Sequence, residues 1–470
     1  MKFIICMILI ISVTYSVSAQ TCNCSDNFRF MVNKVKKNYV GYPDKVNSNN
    51  IRYFEKFTDS LQNVSNRSNP YECISVCREW LTFFKDKHVN FTINFDVISP
   101  DSIRLFFSNE EKTNWNEKTF KTYLTHNRNN LDEIEGIWSY GVYEVGIIKD
   151  VTKKNQEFIA FVLKADGSRW VPQQIKFRIA KFKNMYKTVF FRGGDHSMNY
   201  PKLIQQKNIL DFDFFGKWQK EPYKHKELAE KEADLTPKFK ILDNETCLFE
   251  MPSFESLAYA AKVDSIVKKN EIILKQTKHL IIDLRDNGGG STSVYKSLLP
   301  YIYTNPILTV GGVVLATEDN IKDGYSTEYP EASDSIKNSL KKDLATLKEH
   351  KGELYNLYPI DTIKFEKVFK NPQRISVLVN DNTGSAAELF LLQLKQSKKV
   401  KLYGTNSSGV VDYGETVVSM MPCKYYSLIY PAAKSLYSIK HPLDNVGVNP
   451  DIVISDKAID WIDFVRTYKK

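Results

Sequence analysis

Apolar residues recur at three- and four-residue spacing in two stretches near the start of the chain. Phe28, Met31, Val32, Val35 and Tyr39 make the first stripe, stopped by Gly41, and Cys73, Val76, Cys77, Trp80, Leu81 and Phe84 make the second. That period places each set on one face of a helix, so the segment from Asn27 to about Phe91 is predicted to be helical with buried seams. From Ile134 to about Phe191 the period changes to two, as in Gln174-Ile175-Lys176-Phe177-Arg178-Ile179. Strands are predicted at Tyr143 to Ile148, Phe158 to Leu163, Ile175 to Ile179 and Thr188 to Phe191. Polar turns such as Ala165-Asp166-Gly167-Ser168 separate them, which describes an antiparallel sheet or small barrel.

Between Gly216 and Thr236 the chain turns charged and loses its period, apart from a short helical stretch at Lys226 to Ala233, and a boundary is placed there. Beyond it strands alternate with helices: Cys247 to Met251, a helix from Ser256 to Lys269, His279 to Leu284, Ile375 to Asn380, a helix from Ser385, and Val400 to Tyr403. This alternation predicts an α/β layer architecture. The expected division is residues 1–19 as a signal peptide, 20–100 as a helical amino-terminal cap, 101–235 as a β-rich, barrel-like middle domain with linker, and 236–470 as the α/β domain. Ile336, Leu340, Leu344 and Leu347 mark an amphipathic helix inside a long insertion, Thr317 to Lys370, which is expected to form a lid.

Composition changes the picture little. With 42% apolar and 26% charged residues the chain reads as globular. The net charge of +10 is spread along the sequence with no basic stripe interleaved with aromatics, so a solvated surface is expected rather than a nucleic-acid partner. The first twenty residues stand apart: Lys2, an apolar run from Phe3 to Val13, then Ser16, Ser18 and Ala19, the pattern of a secretory signal cleaved after Ala19. Export to a periplasmic or extracellular space follows as an expectation, with no stable membrane insertion once the signal is removed. Cys6 would leave with the signal, and six cysteines would remain for an oxidising compartment. At least one bridge is expected between Cys22 or Cys24 and Cys73 or Cys77. No metal site or cofactor is expected, because Cys22-Asn23-Cys24 has one intervening residue and no histidine cluster beside it.

Two segments carry the candidate chemistry. In the first, the apolar strand Leu280-Ile281-Ile282 runs into Asp283-Leu284-Arg285-Asp286-Asn287-Gly288-Gly289-Gly290, a turn whose missing Cβ atoms let N–H groups converge on a small anion. In the second, the strand Val377-Leu378-Val379 ends in Asn380-Asp381-Asn382-Thr383-Gly384-Ser385-Ala386-Ala387-Glu388, with a helix beginning at Ser385. A serine there is an N-cap, and it also gains exposure and the positive end of the helix dipole.

These two blocks, followed in order by Tyr403-Gly404-Thr405-Asn406-Ser407-Ser408-Gly409 and Gly447-Val448-Asn449-Pro450-Asp451-Ile452, resemble the signature blocks of the carboxyl-terminal processing (tail-specific) serine peptidases. The resemblance covers roughly the last half of the chain. It implies a crotonase-like fold of stacked ββα units, hydrolysis of peptide bonds through an acyl-enzyme on Ser385, and an oxyanion held by the N–H groups of Gly289 and Ala386. Relatives with a serine–lysine dyad carry lysine where this chain has Val410. The alternative design resembles the tricorn core, with a histidine from an amino-terminal helical region and an acid just before Asn-x-Gly-Val-x-Pro-Asp. His88 is then the general base and Asp444 the orienting acid. His441 is the rival base and is placed second. Some relatives have serine just before the histidine, where this chain has Lys87. Two other readings use the same fold: a catalytically silent peptide- or ligand-binding protein, and a serine esterase.

Overall fold

The structure is a computed structural model that describes residues 22–151, 157–182, 185–212, 215–222, 234–454 and 460–468. The signal segment at 1–19 and the short helix expected at 226–233 lie outside the described residues.

The expected helical stripes form helices Cys24–Asn38 and Cys73–Leu81, with Ile51–Ser65 between them. Asn23 begins the first by accepting the Asp26 N–H, and Lys36 and Lys37 sit in its last turn, where they complement the helix dipole. The apolar faces meet around Trp80, which packs edge-on against Phe28 and Phe84. This core also takes in Tyr426, Leu428 and Tyr430 from the far end of the chain. Cys24 pairs with Cys73 as expected, and Cys22 pairs with Cys423, 401 residues away. Cys77 and Cys247 are free and buried.

The period-two region folds into a nine-stranded antiparallel sheet whose strands, from edge to edge, are Met198–Asn199, Met185–Phe191, Ile175–Phe182, Glu157–Lys164, Tyr143–Lys149, Gly136–Tyr140, Lys217–Lys220, Ile209–Asp211 and Ile204–Gln206. The order is open at both ends, so of the two forms that strand spacing allows the described residues make the antiparallel sheet and not the closed barrel. Both faces are covered instead. Trp138, Phe177, Phe190 and Trp218 fill one, and Phe120 on helix Glu117–His126 covers Phe161 and Ile148 on the other.

The third part contains a six-stranded sheet ordered Lys238–Ile241, Thr246–Glu250, His279–Asp283, Arg374–Val379, Val400–Gly404 and Ile452–Val453, parallel except for its first strand. Helices Ala258–Lys269 and Ala386–Leu394 cover one face, and Trp461–Thr467 covers the other. Burial on both sides explains why these strands read as continuous apolar runs. The carboxyl ends of strands His279–Asp283 and Arg374–Val379 lie side by side, with Asp283 opposite Leu378. The glycine turn and the turn carrying Ser385 therefore leave the sheet at the same edge, where open α/β sheets place their ligands.

A further antiparallel sheet joins Asn90–Ile93, from the amino-terminal region, to Tyr426–Ser435, which also pairs with Gly312–Leu315 and Tyr413–Met420. Helix Asp334–Glu349 forms from the amphipathic stripe, capped by Ser333. Leu344 and Leu347 pack with Val314, Ala316 and Ala433. At its start the insertion is tied to the first helix, since Thr317 and Asn320 bond Asn38 and Asp319 pairs with Lys34. This part of the insertion thus bridges the first helix and the antiparallel sheet.

Candidate active site

Ser385 sits between strand Arg374–Val379 and helix Ala386–Leu394 with φ 52° and ψ −122°, a region that L-residues avoid. Glu388, one turn into the helix and fully buried, holds it there. Its carboxylate accepts the backbone N–H groups of Ser385 at 3.1 Å, Gly409 at 2.8 Å and Val410 at 2.8 Å, and the Ser407 hydroxyl at 2.5 Å. Four donors on one carboxylate replace the water it has lost.

Gly289 packs directly on this turn. At φ +102° a Cβ added there would lie 2.7 Å from Ser385 Cβ and 2.8 Å from the Ala386 nitrogen, which only glycine avoids. Its N–H is already engaged, donating to Asn287 Oδ1 at 2.9 Å. In this state Gly289 serves the site by close approach, and its expected role as an oxyanion donor requires that N–H to leave Asn287 Oδ1. Asn287 is fully buried and binds the Met251 carbonyl through Nδ2, so the glycine turn is anchored from beneath.

His88 reaches this edge by a local device. Lys85, in the left-handed region at φ 48°, ends the short turn Thr82–Phe84, and Asp86 Oδ1 then accepts the His88 N–H at 2.8 Å. Strand Asn90–Ile93 pairs immediately afterwards with Tyr426–Ser435, which fixes the direction of the segment. Lys87 Nζ donates to the Ser408 carbonyl at 2.7 Å, and the Ser408 N–H donates to the Thr383 carbonyl two residues before the serine. Asn445 Nδ2 donates to the Lys85 carbonyl. The imidazole feels the charge of Glu388 and faces the Tyr413 carbonyl. Burial pushes its pKa below the ordinary value, while Asp86 and Glu388 pull the other way. No hydrogen bond joins Ser385 Oγ to the ring in this resting state, and such contacts tighten when substrate binds.

Asp444 lies nearby but is turned elsewhere. Its carboxylate meets Lys45 Nζ at 3.5 Å and the Asp412 N–H at 3.4 Å. Burial, then the charges of Asp86 and Asp412, push its pKa up to about 7. Asp86, not Asp444, is the carboxylate next to the His88 ring, 3.9 Å from Nδ1. The sequence reading assigns Asp86 no role, although Asp86-Lys87-His88 has the aspartate-x-histidine spacing that marks His88 as the candidate base. His441 is exposed on a turn against Tyr437. Val410 is buried, with its side chain against Gly384. Among the described residues no cluster of His, Cys, Asp or Glu has the makings of a metal site.

Residues 245–454 match peptidase family S41. The chain carries a serine-type peptidase domain of that family. The S41 match spans both turns that meet at Ser385 and the 443–448 segment, whereas His88 and Asp86 lie outside it. An uncharacterized protein of Chlamydia muridarum is 25% identical over 216 residues, which are 40% of this chain and 36% of that protein, so the chain spans about a third of that relative's length. Among solved structures, a peptidase from Parabacteroides merdae matches at 14% identity and TM-score 0.42, covering 94% of this chain and 92% of that one. Mature CPAF matches at 12% identity and TM-score 0.45, with 92% of each chain covered. The tricorn protease matches at 14% identity and TM-score 0.36, covering 92% of this chain and 34% of its own. No helix among the described residues is long and apolar enough to cross a membrane.

Proposed function

We propose that the protein is an exported endopeptidase that hydrolyses peptide bonds of polypeptide substrates through an acyl-enzyme on Ser385. The observation that carries this reading is the strained serine at a helix start, with the glycine turn packed against its Cβ and a half-buried histidine delivered from the amino-terminal region. A serine hydroxyl is a weak nucleophile until a base takes its proton, and a largely neutral imidazole is suited to that task near pH 7. His88 takes the proton of Ser385 as the scissile carbonyl is attacked and returns it to the leaving amine. Asp444 contributes a further carboxyl group beside Asp86, one step removed from the imidazole. The N–H of Ala386, at the positive end of its helix, faces the oxyanion that develops.

A recess of about 540 Å³ lies on the Asp86–Asn90 segment that carries His88, lined by Leu81, Lys85, Asp86, Lys87, Val89 and Asn445. In this reading residues 20–100 are a cap that brings the base, 101–235 a β-rich accessory domain, and 236–470 a crotonase-like catalytic domain of ββα units. Residues 1–19 act as the export signal, which the two disulfides favour, since such bonds persist in oxidising compartments.

The test is a fluorophosphonate probe followed by a peptide library. Labelling of wild type and not of Ser385→Ala, with amide cleavage lost in parallel, is the expected result. Absence of labelling would favour a silent binding protein, and ester turnover without peptide turnover an esterase.

A further inference from the structure

Asp86 is bound from both sides in a way that a surface carboxylate is not. Its side chain is 2% exposed. Oδ2 accepts the Tyr39 hydroxyl at 2.8 Å, and Oδ1 accepts the His88 backbone N–H at 2.8 Å. The same Oδ1 is 3.9 Å from His88 Nδ1, a ring nitrogen that is buried and has no hydrogen-bond partner. A buried ring nitrogen without a partner is costly, and Asp86 Oδ1 is the carboxylate oxygen beside it, the ring's other polar neighbour being the Tyr413 carbonyl. Tyr39 is itself locked, 1% exposed, with its ring edge-on to Phe84 and Tyr413. Burial, then the neighbouring Asp86, pushes its pKa far up, so it stays a donor.

The expected acid is differently employed. Asp412 accepts the N–H groups of Leu443 and Asp444, and Asp444 answers with a contact to the Asp412 N–H and the pairing with Lys45. This reciprocal pair closes the turn before Asn445.

We propose that Asp86, held by Tyr39, is the positioning residue for His88, accepting Nδ1–H so that Nε2 is the nitrogen offered to Ser385. Asp444 is then a second carboxyl that carries a proton during part of the pH range. The charged and titratable groups around the ring are Asp86, Glu388 and, one layer behind, Tyr39, Tyr413, Asp444, Asp412 and Lys45. With Asp86 ionised, the imidazolium formed during attack is stabilised and the correct tautomer is kept. Sharing negative charge with Asp86 is one cause of the raised Asp444 pKa.

This inference rests on His88 being the base, and its test separates the two. In the full mature chain, ¹⁵N-histidine NMR of the wild type should show His88 as the Nδ1–H tautomer at pH 8. Asp86→Asn should lower kcat by roughly a thousandfold with KM within about threefold, and shift the ring toward Nε2–H. Tyr39→Phe should cost about tenfold in kcat and move the acidic limb of the pH profile. Asp444→Asn should also lower kcat, by about tenfold, but leave the tautomer unchanged. An Nε2–H tautomer in wild type, or Asp86→Asn within threefold of wild type while Asp444→Asn is dead, would overturn the proposal. Near-normal probe labelling of His88→Ala would instead remove the base reading itself.

Discussion

The Glu388 carboxylate accepts the backbone N–H of Ser385 at 3.1 Å while its two oxygens also take the N–H groups of Gly409 and Val410. One buried side chain thereby ties the strained serine to the loop on which Lys87, next to the base, is docked. Glu388→Gln replaces an accepting oxygen with an NH2 that faces donors. It should destabilise the fold by about 2 to 3 kcal/mol. Removing the Glu388 charge should also lower the His88 pKa, so the acidic limb of kcat/KM should move to lower pH, as measured by a pH profile alongside thermal melts.

Ser385 stores backbone strain at φ 52°. Ser385→Gly and Ser385→Ala should both lose probe labelling and peptide cleavage. The glycine variant, relieved of strain, should be the more stable by about 1 kcal/mol in denaturant unfolding.

Gly289→Ala puts a methyl group 2.7 Å from Ser385 Cβ at a backbone conformation of φ +102°. Loss of kcat/KM by at least about a hundredfold is expected, because even a 1 Å shift at a reacting centre is that costly. Gly288→Ala, where the added atom meets nothing within 4 Å, should keep most activity.

Asp444 contributes to pH-dependent stability with a definite sign. Its folded pKa of about 7 lies above the ordinary carboxylate value, so the folded chain binds the extra proton. The contribution is complete below about pH 4 and is lost as pH rises toward 7. Asp444→Asn should therefore raise the melting temperature more at pH 8 than at pH 4.5, and equal shifts at both would refute the assignment.

Non-reducing peptide mapping should find Cys22–Cys423 and Cys24–Cys73, with Cys77 and Cys247 free. Paired removal of Cys22 and Cys423 by serine should cost about 6 kcal/mol in loop-closure entropy, against about 4 kcal/mol for Cys24 and Cys73, because the closed loop is far longer.

The sequence alone determined the elements and the local chemistry. Periods of 3.6 and 2 marked the helix seams around Trp80 and the strands from Tyr143 onward, since burial on one face writes that period directly. Continuous apolar runs ending in Asn287-Gly288-Gly289 and Gly384-Ser385 marked the two turns, because strand ends and glycine conformations are local matters. What only the tertiary structure decided were relations between residues far apart. Cys22 finds Cys423 because strand Tyr426–Ser435 packs under the first helix. Gly289 gives its N–H to Asn287, a choice set by how the turn lies on Met251. His88 faces Asp86 while Asp444 turns to Lys45, since that outcome depends on side-chain direction within a buried cluster of competing carboxylates and tyrosines. Spacing along a chain constrains such contacts only weakly; the sheet pairing of Asn90–Ile93 with Tyr426–Ser435 brings them into being.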